Sequence, residues 1–454
     1  MTVIRLPHDV GAWRERPGPL AAAVAAALRD GVLDGRIPSG SELPSEREVA
    51  FALGVSRGTV VAALDRLRDD GWVATRHGSG STIRLPPSLT ERTLPLSADR
   101  AGLDLRAAVT SAPHQACLAA LDRAAGRFAA ALLDDGESPG GLACLREAVA
   151  ARYTTAGLAT RPAQVLITSG ARAAIALLLS RFHDRRRPVL VENPSYPTVL
   201  AQLRQRTART VTVPVTDDGW DEDRFRDVLR SRRPGLAYLM PDFHNPAGAV
   251  MPRRLRAEVS VLAERADCVI LADETMRDLD LREEPRAEPH LAGRNVISVG
   301  SASKLFWGGL RIGWIRASTS RIAELQLSPL AGPVSPPPLE QLIAAELLAD
   351  ERRILFSRRA QLRAQRDHLA DLLHEMPGWS FRPPPGGLSL WLRHRDLTGQ
   401  ELADRAAARG LLISPGRRFA ADGTLVHHLR LPFTASPEVL TQAASILGAA
   451  IAVT

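Results

Sequence analysis

Lysine is almost missing from this chain. Of its 58 basic residues all but Lys304 are arginine. Arginine keeps its proton throughout the pH range of proteins, whereas a lysine amine can be desolvated, lose its proton and attack a carbonyl. A chain that uses arginine for nearly every cation has kept one lysine where only an amine serves. Cysteine is scarce too: Cys117, Cys144 and Cys268 are odd in number and form no CxxC pair, which argues for reduced thiols in a cytosolic protein. No His or Cys cluster has metal-ligand spacing, and there is no internal repeat. Long apolar runs are missing as well. The run from Leu20 to Leu28 is short, alanine-rich and followed by Arg29 and Asp30, so it suits a helix of a soluble domain and fits neither a signal peptide nor a membrane span. The net charge of +8 is not concentrated at the N-terminus, because residues 1–86 hold eleven arginines against ten carboxylates. Any case for nucleic acid there rests on where the arginines sit. At 454 residues the chain exceeds one ordinary core, so two or more domains are expected.

The first 86 residues read as three helices and a hairpin. Leu20 to Asp34 forms a helix with Gly35 just past its end. Ser45 with Glu48 makes a capping box for a second helix, which stops at Gly54. Ser56 caps a third, whose apolar face is Val60, Leu64 and Leu67 and whose end is Gly71. Trp72 to Thr75 and Ser81 to Leu85 then flank the turn His77-Gly78-Ser79-Gly80. This is the layout of a winged helix-turn-helix, and the wording LPSEREVAFALGVSRGTVVAALDRLRDDGWVATRHGSGS closely resembles the GntR family of bacterial regulators. The resemblance implies DNA contacts from Arg47, Ser56, Arg57, Thr59, His77 and Gly78. Physical chemistry agrees, since the start of a recognition helix faces base edges and phosphates and an arginine there can grip guanine in a bidentate fork.

Leu85 to Asp104, with Pro86, Pro87 and Pro95, reads as a semi-extended connector, so the two sides are expected to be tethered by it. The expected division is 1–86 for the DNA-binding domain, 87–104 for the linker and 105–454 for the remainder.

From Leu105 on, short β-branched strands alternate with helices: Val165 to Thr168, Val189 to Glu192, Leu236 to Leu239, Cys268 to Ala272, Val296 to Val299 and Ile312 to Ile315. Such spacing indicates an α/β domain around a mostly parallel sheet, whose ligand chemistry gathers at strand ends. Ser169-Gly170-Ala171-Arg172 is a glycine turn entering a helix, suited to a phosphate. Asp273 closes a very apolar strand and needs a partner, either one of the many arginines or a protonated pyridine nitrogen. Asn245, in HNPAG, is a turn residue or a ligand for a ring oxygen; Tyr196, in ENPSYP, packs on the sheet or lies over a ring.

With Ser301, Ser303, Lys304 and Arg311, these pieces resemble in order and spacing the fold type I aminotransferases, which use pyridoxal 5′-phosphate. The resemblance implies a Schiff base on Lys304, Asp273 on the pyridinium, Asn245 on the phenolic oxygen and Tyr196 near the ring. Gly170, Ala171, Arg172, Ser301, Ser303 and Arg311 would cradle the phosphate, and Arg430, in LRLPFT, would grip the α-carboxylate of an amino acid. The chain departs from that family twice. Met276 stands where relatives often carry a tyrosine, and the stretch around Glu137 lacks the tyrosine that reaches the partner subunit's phosphate. The large part of this domain is expected at about 105–335 and the small part at about 336–454, with Pro336-Pro337-Pro338 opening a long helix. Gly386 to Trp391, Leu411 to Ile413 and His428 to Leu431 read as its strands.

A GntR-type domain joined to an aminotransferase-like domain is the architecture of the MocR regulators, which the chain resembles from end to end. The resemblance implies a cytoplasmic homodimer that binds paired half-sites on duplex DNA and senses an amino acid, an amine or the cofactor itself. The rival expectation is a working aminotransferase with an appended DNA-binding domain.

Overall fold

The structure is a computed structural model that describes residues 13–15, 18–33, 37, 40–76, 80–84, 86, 102–133, 136, 138–330 and 336–452. Helix α1 (Leu20–Leu33) is built from alanine and leucine, strong helix formers, and buries Val24, Ala27, Leu28 and Val32 along one stripe. Ser45 opens α2 (Glu46–Leu53) with both halves of the expected capping box. Its hydroxyl accepts from the Glu48 amide, and the Glu48 carboxylate accepts the Ser45 amide at 2.8 Å. The helix stops at Gly54, whose φ of 62° is left-handed. Ser56 caps α3 (Arg57–Asp69), which turns Val60, Ala63, Leu64 and Leu67 inward. Strands β1 (Val73–Arg76) and β2 (Gly80–Ile83) pair antiparallel, so the layout read from the sequence is present. His77 and Gly78 lie outside the described residues.

This N-terminal core has one distant member. Val426 is buried in it beside Leu28, Val60 and Leu64, and its backbone N–H donates to the Leu33 carbonyl at 3.0 Å. The sequence reading joined the two sides through the connector alone. The structure adds a second junction, which sequence could not show because the partners lie almost four hundred residues apart.

Beyond the connector, α4 (His114–Ala131) precedes an eight-stranded sheet. In chain order its strands are β3 (Val165–Thr168), β4 (Val189–Asn193), β5 (Thr210–Thr216), β6 (Gly219–Trp220), β7 (Leu236–Leu239), β8 (Val269–Asp273), β9 (Val296–Ser301) and β10 (Gly313–Arg316). Their spatial order is β3-β10-β9-β8-β7-β4-β5-β6. The run from β9 to β5 is parallel, and both faces are covered, which is why these strands read as unbroken apolar runs. The mostly parallel sheet read from the sequence is present, and the structure adds two features to it. Strand β10 is antiparallel to both of its neighbours, β9 and β3, because only the short turn after Lys304 separates it from β9. Strand β5 was not anticipated; its outer residues are exposed or half-buried, so its apolar signal is weak.

Helices α5 (Ala171–Phe182) and α6 (Pro197–Gln205) follow β3 and β4. After α7 (Pro338–Ala349), which begins at the proline triplet, and α8 (Glu351–His374) comes a second sheet. It consists of β11 (Trp379–Ser380), β12 (Ser389–His394), β13 (Ser414–Pro415) and β14 (His428–Pro432), in the order β11-β12-β14-β13, all antiparallel. Leu362, Leu369 and Leu373 of α8 share a buried cluster with Leu390, Leu429 and Leu431 of the sheet. The strand expected from Gly386 starts only at Ser389. A Cβ at Gly386 would stand 2.3 Å from the Phe243 ring, so this glycine serves a close backbone approach. Leu103 and Asp104 pair in parallel with Leu411 and Leu412, which lays the following residues, Arg106 to Val109, along one wall of the cavity described below.

Among the described residues no helix is long and apolar enough to cross a membrane. Val426→Asp, which buries an unpaired carboxylate in the N-terminal core, is expected to open the junction with Leu33. Hydrogen exchange at the C-terminal turn of α1 should rise about tenfold or more while that of β8 and β9 stays unchanged; equal protection in parent and variant would refute the junction.

Candidate functional site

The parallel strands β4, β7, β8 and β9 end on one edge of the large sheet, and a cavity of about 420 Å³ opens there, within the range of small-ligand pockets. Register assembles it. Ser301 of β9 faces Gly313 of β10, and Gly313 faces Thr168 of β3, so three strand ends meet at the turn that enters α5. Gly170 adopts φ 87° in that turn, and a Cβ at Gly313 would lie 2.5 Å from the Gly170 carbonyl carbon. Only glycine lets β10 press this closely on the turn. The first amide groups of α5 therefore face the cavity beside Ser301, Ser303 and Arg311, where the helix dipole favours an anion. The Ser301 hydroxyl accepts from the Ser303 amide at 3.1 Å, which fixes the turn carrying Lys304.

Lys304 projects into the middle of the cavity, half-buried, and its Nζ donates to the Ala108 carbonyl at 2.6 Å. Burial pushes its pKa down to about 8, helped by the positive charges of Arg430 and Arg172 and opposed by Asp273. Asp273, the last residue of β8, is buried; Tyr238 of β7 donates its hydroxyl to one carboxylate oxygen at 2.5 Å and the Thr275 amide donates to the other at 3.0 Å. Burial raises its pKa in spite of these bonds, and no lysine, arginine or histidine lies within ion-pair distance among the described residues. The arginine partner that the sequence left open is thus not there. A buried carboxylate with two donors and no counter-cation suits a protonated ring nitrogen.

Asn245 and Tyr196 both line the cavity. The Asn245 amide oxygen accepts from Arg430 at 3.5 Å, and the Tyr196 hydroxyl accepts from Arg172 Nε at 3.0 Å. Arg430 is buried on β14. One terminal nitrogen donates to the Arg106 carbonyl, Phe419 lies under the guanidinium with its ring centre 4.8 Å away, and Nε has no partner. Burial first and Arg418 second push its pKa down to about 10, so it stays a cation at neutral pH. A buried cation that lines the cavity and keeps one donor without a partner suits a carboxylate. All ten residues expected around the cofactor, and Arg430, therefore converge on this one cavity.

Residues 116–447 match the model for aminotransferase class I and II. The chain belongs to that family. Residues 20–83 match bacterial regulatory proteins of the gntR family. The HTH-type transcriptional regulator YisV of Bacillus subtilis is 27% identical, over 93% of either chain. The HTH-type pyridoxine biosynthesis transcriptional regulator PdxR of Corynebacterium glutamicum is 29% identical over 88% of both. Among solved structures, the α-aminoadipate aminotransferase LysN of Thermus thermophilus, complexed with N-(5′-phosphopyridoxyl)-L-leucine, superposes with a TM-score of 0.71 at 27% identity, over 78% of this chain and 92% of that one. The chain is thus a GntR-type helix-turn-helix fused to a fold type I aminotransferase domain, and its cofactor is pyridoxal 5′-phosphate.

Sequence reasoning missed three residues of this aminotransferase-family site. Tyr238 sits inside an apolar strand, where it reads as core. Ala108 enters through its backbone carbonyl, which has no side-chain signal. Arg418 is one arginine among 57. Met276 is buried in the cavity wall, so the ring-facing position that often holds a tyrosine in relatives carries no hydroxyl here. Glu137 lies outside the described residues.

On the DNA-binding side Arg47 and Arg57 are exposed. Arg57 pairs with Glu46 at 3.1 Å, an exposed ion pair of small net value that a phosphate or guanine can displace. The Ser56 hydroxyl accepts from the Thr59 amide at 3.1 Å and also meets the Thr59 hydroxyl, so both residues are engaged in the helix cap.

Two outcomes follow from the geometry. The amine of Lys304 is the attacking form, so the rate at which added pyridoxal phosphate becomes bound to it should climb with pH and level off above about 8, well below the ~10.4 of an exposed lysine. A rise continuing past pH 10 in stopped-flow absorbance would contradict a desolvated amine. Tyr238→Phe removes a hydrogen bond to a buried carboxylate, worth roughly tenfold to a hundredfold in cofactor affinity by equilibrium dialysis; unchanged affinity would remove Tyr238 from the site.

Proposed function

We propose that this protein is a transcriptional regulator that binds DNA through its winged helix and reads an amino compound through the pyridoxal phosphate site. One observation carries the regulatory side of this reading. The segment from Gly416 to His428 has Arg418 and Phe419 in the cavity wall and, a few residues on, Val426 in the core of the DNA-binding domain. Between them it is held firmly. The Phe419 carbonyl accepts from Ser195, and the Asn193 side chain bonds Ala421 and the buried Thr424. A change at the cavity wall therefore has a continuous packed route to the helices that face DNA, which is what differential contact with two states requires.

Each site residue has a proposed task. Lys304 attaches the cofactor through Nζ, and Asp273 holds the proton of the ring nitrogen. Asn245 orients the ring by its phenolic oxygen, and Tyr196 lies beside it. Gly170, Ala171, Arg172, Ser301, Ser303 and Arg311 hold the phosphate, and Arg430 takes the α-carboxylate of the amino compound. When bound, the ring supplies an electron sink. Arg47, Ser56, Arg57 and Thr59 start the DNA-facing surface, which His77 and Gly78 extend at the wing. The proposed domains are 1–86, the linker 87–104 and 105–454, divided at about 335. A cytoplasmic homodimer fits the apolar side chains that α4 leaves exposed, Leu118 and Leu121, and two winged helices then read two half-sites.

The rival reading, a working aminotransferase, draws on the intact set of Lys304, Asp273 and Arg430. Met276 speaks against it, because it leaves the ring oxygen without the usual second donor.

The test uses the full chain and its own upstream DNA. Binding should weaken steeply with salt and be lost in Arg57→Ala. With pyridoxal phosphate loaded, an effective amino acid should shift the DNA affinity of the parent, and Lys304→Ala should show neither that shift nor the visible band of the lysine-bound cofactor. Salt-insensitive DNA binding, or a parent without a visible band, would end the proposal; rapid release of stoichiometric 2-oxo acid from common amino acids, without any effect on DNA affinity, would favour the enzyme.

A further inference from the structure

The cavity wall carries more positive charge than the expected ligands neutralise. Arg106, Arg172, Lys304, Arg311, Arg418 and Arg430 line it, against the two carboxylates Asp242 and Asp273. Asp242 is already committed to Arg256 at 2.8 Å and to Arg277 at 3.1 Å, and Asp273 has its ring-nitrogen task. Arg106 is paired with Asp104 at 2.7 Å. Arg172 donates to Tyr196, Arg311 stands at the phosphate turn, and Arg430 takes one carboxylate.

Arg418 is left over. It makes no hydrogen bond or ion pair among the described residues, although it stands close enough to Arg430, Arg106 and Asp104 for their charges to act on one another. Its side chain is exposed at the cavity wall, but the backbone that carries it is fixed. It belongs to the 3₁₀ turn Gly416–Phe419, whose last residue lies flat under Arg430 and is tied through its carbonyl to Ser195. An exposed guanidinium on a tied turn, with no hydrogen-bond partner among the described residues, is free to take an anion in the cavity, and its planar fork suits an acid group.

We propose that Arg418 determines specificity by gripping a second acid group on the amino compound, so that the ligand is an acidic amino acid whose α-carboxylate lies on Arg430. This rests on the reading that the cavity takes an amino compound against pyridoxal phosphate. Substrates with neutral side chains leave Arg418 unmatched and bind more weakly.

The experiment titrates the cofactor-loaded full chain with L-glutamate, L-aspartate, L-glutamine and L-asparagine, following absorbance and circular dichroism of the bound cofactor. At least one acid should half-saturate at a concentration ten times or more below that of its amide. In Arg418→Gln the ratio should fall to near one, and Arg418→Lys should restore part of it. Arg417→Gln, the same charge change on a neighbour that does not line the cavity, should leave the ratio as in the parent. Equal half-saturation by acid and amide in the parent, or an equal loss of preference in the Arg417 and Arg418 variants, would overturn the assignment while leaving the cofactor reading intact. A parent without a cofactor band would overturn both.

Discussion

The structure of the site depends on a buried carboxylate that has donors but, among the described residues, no counter-cation. Asp273 ends the central strand β8 with the Tyr238 hydroxyl on one oxygen and the Thr275 amide on the other. Desolvation raises its pKa, so the folded chain alone does not stabilise its charge fully. A protonated ring nitrogen would complete it in the proposed role of this residue. Lys304 stands near by with the opposite problem, an amine that burial and two arginines hold down to about 8. A group that needs a cation and a group that readily gives up its proton share one cavity, and pyridoxal phosphate suits both.

Register in the large sheet makes this possible. Because Val299 lies opposite Asp273 and Ser301 opposite Gly313, the end of β8, the turn after β9 and the start of β10 meet within a few residues. Gly170 and Gly313 let the backbones close up there, and the first amides of α5 then point at the space where a phosphate fits. The second sheet contributes from across the cavity, with Arg430 on β14 and Arg418 on the turn preceding it.

That turn also leads out of the site. Within a dozen residues the chain passes from the cavity wall at Phe419 to the N-terminal core at Val426, pinned on the way by Asn193 and Ser195. In the proposed regulator this segment offers a path between the pocket and the recognition helix. Met276 fits the same view, since it preserves the attachment of a cofactor while removing a group that tunes its reactivity.

Much of this was legible in the amino-acid sequence, for a physical reason. Helix caps such as Ser45 with Glu48, glycine turns such as Gly170, and a solitary lysine are local signals, set by backbone geometry and side-chain chemistry within a few residues. They were enough to mark the winged helix and to propose the phosphate turn and the attachment point. Tyr238, the carbonyl of Ala108, the unpaired state of Arg418 and the place of Val426 in a distant core were not legible, because each is defined by what lies opposite it. Whether Asp273 meets an arginine or waits for a ring nitrogen is likewise a statement about its surroundings. The sequence by itself determined which residues to propose for the chemistry; tertiary structure brought them to one cavity and decided which of their charges are matched, because pairing and desolvation arise only where distant strands and turns meet.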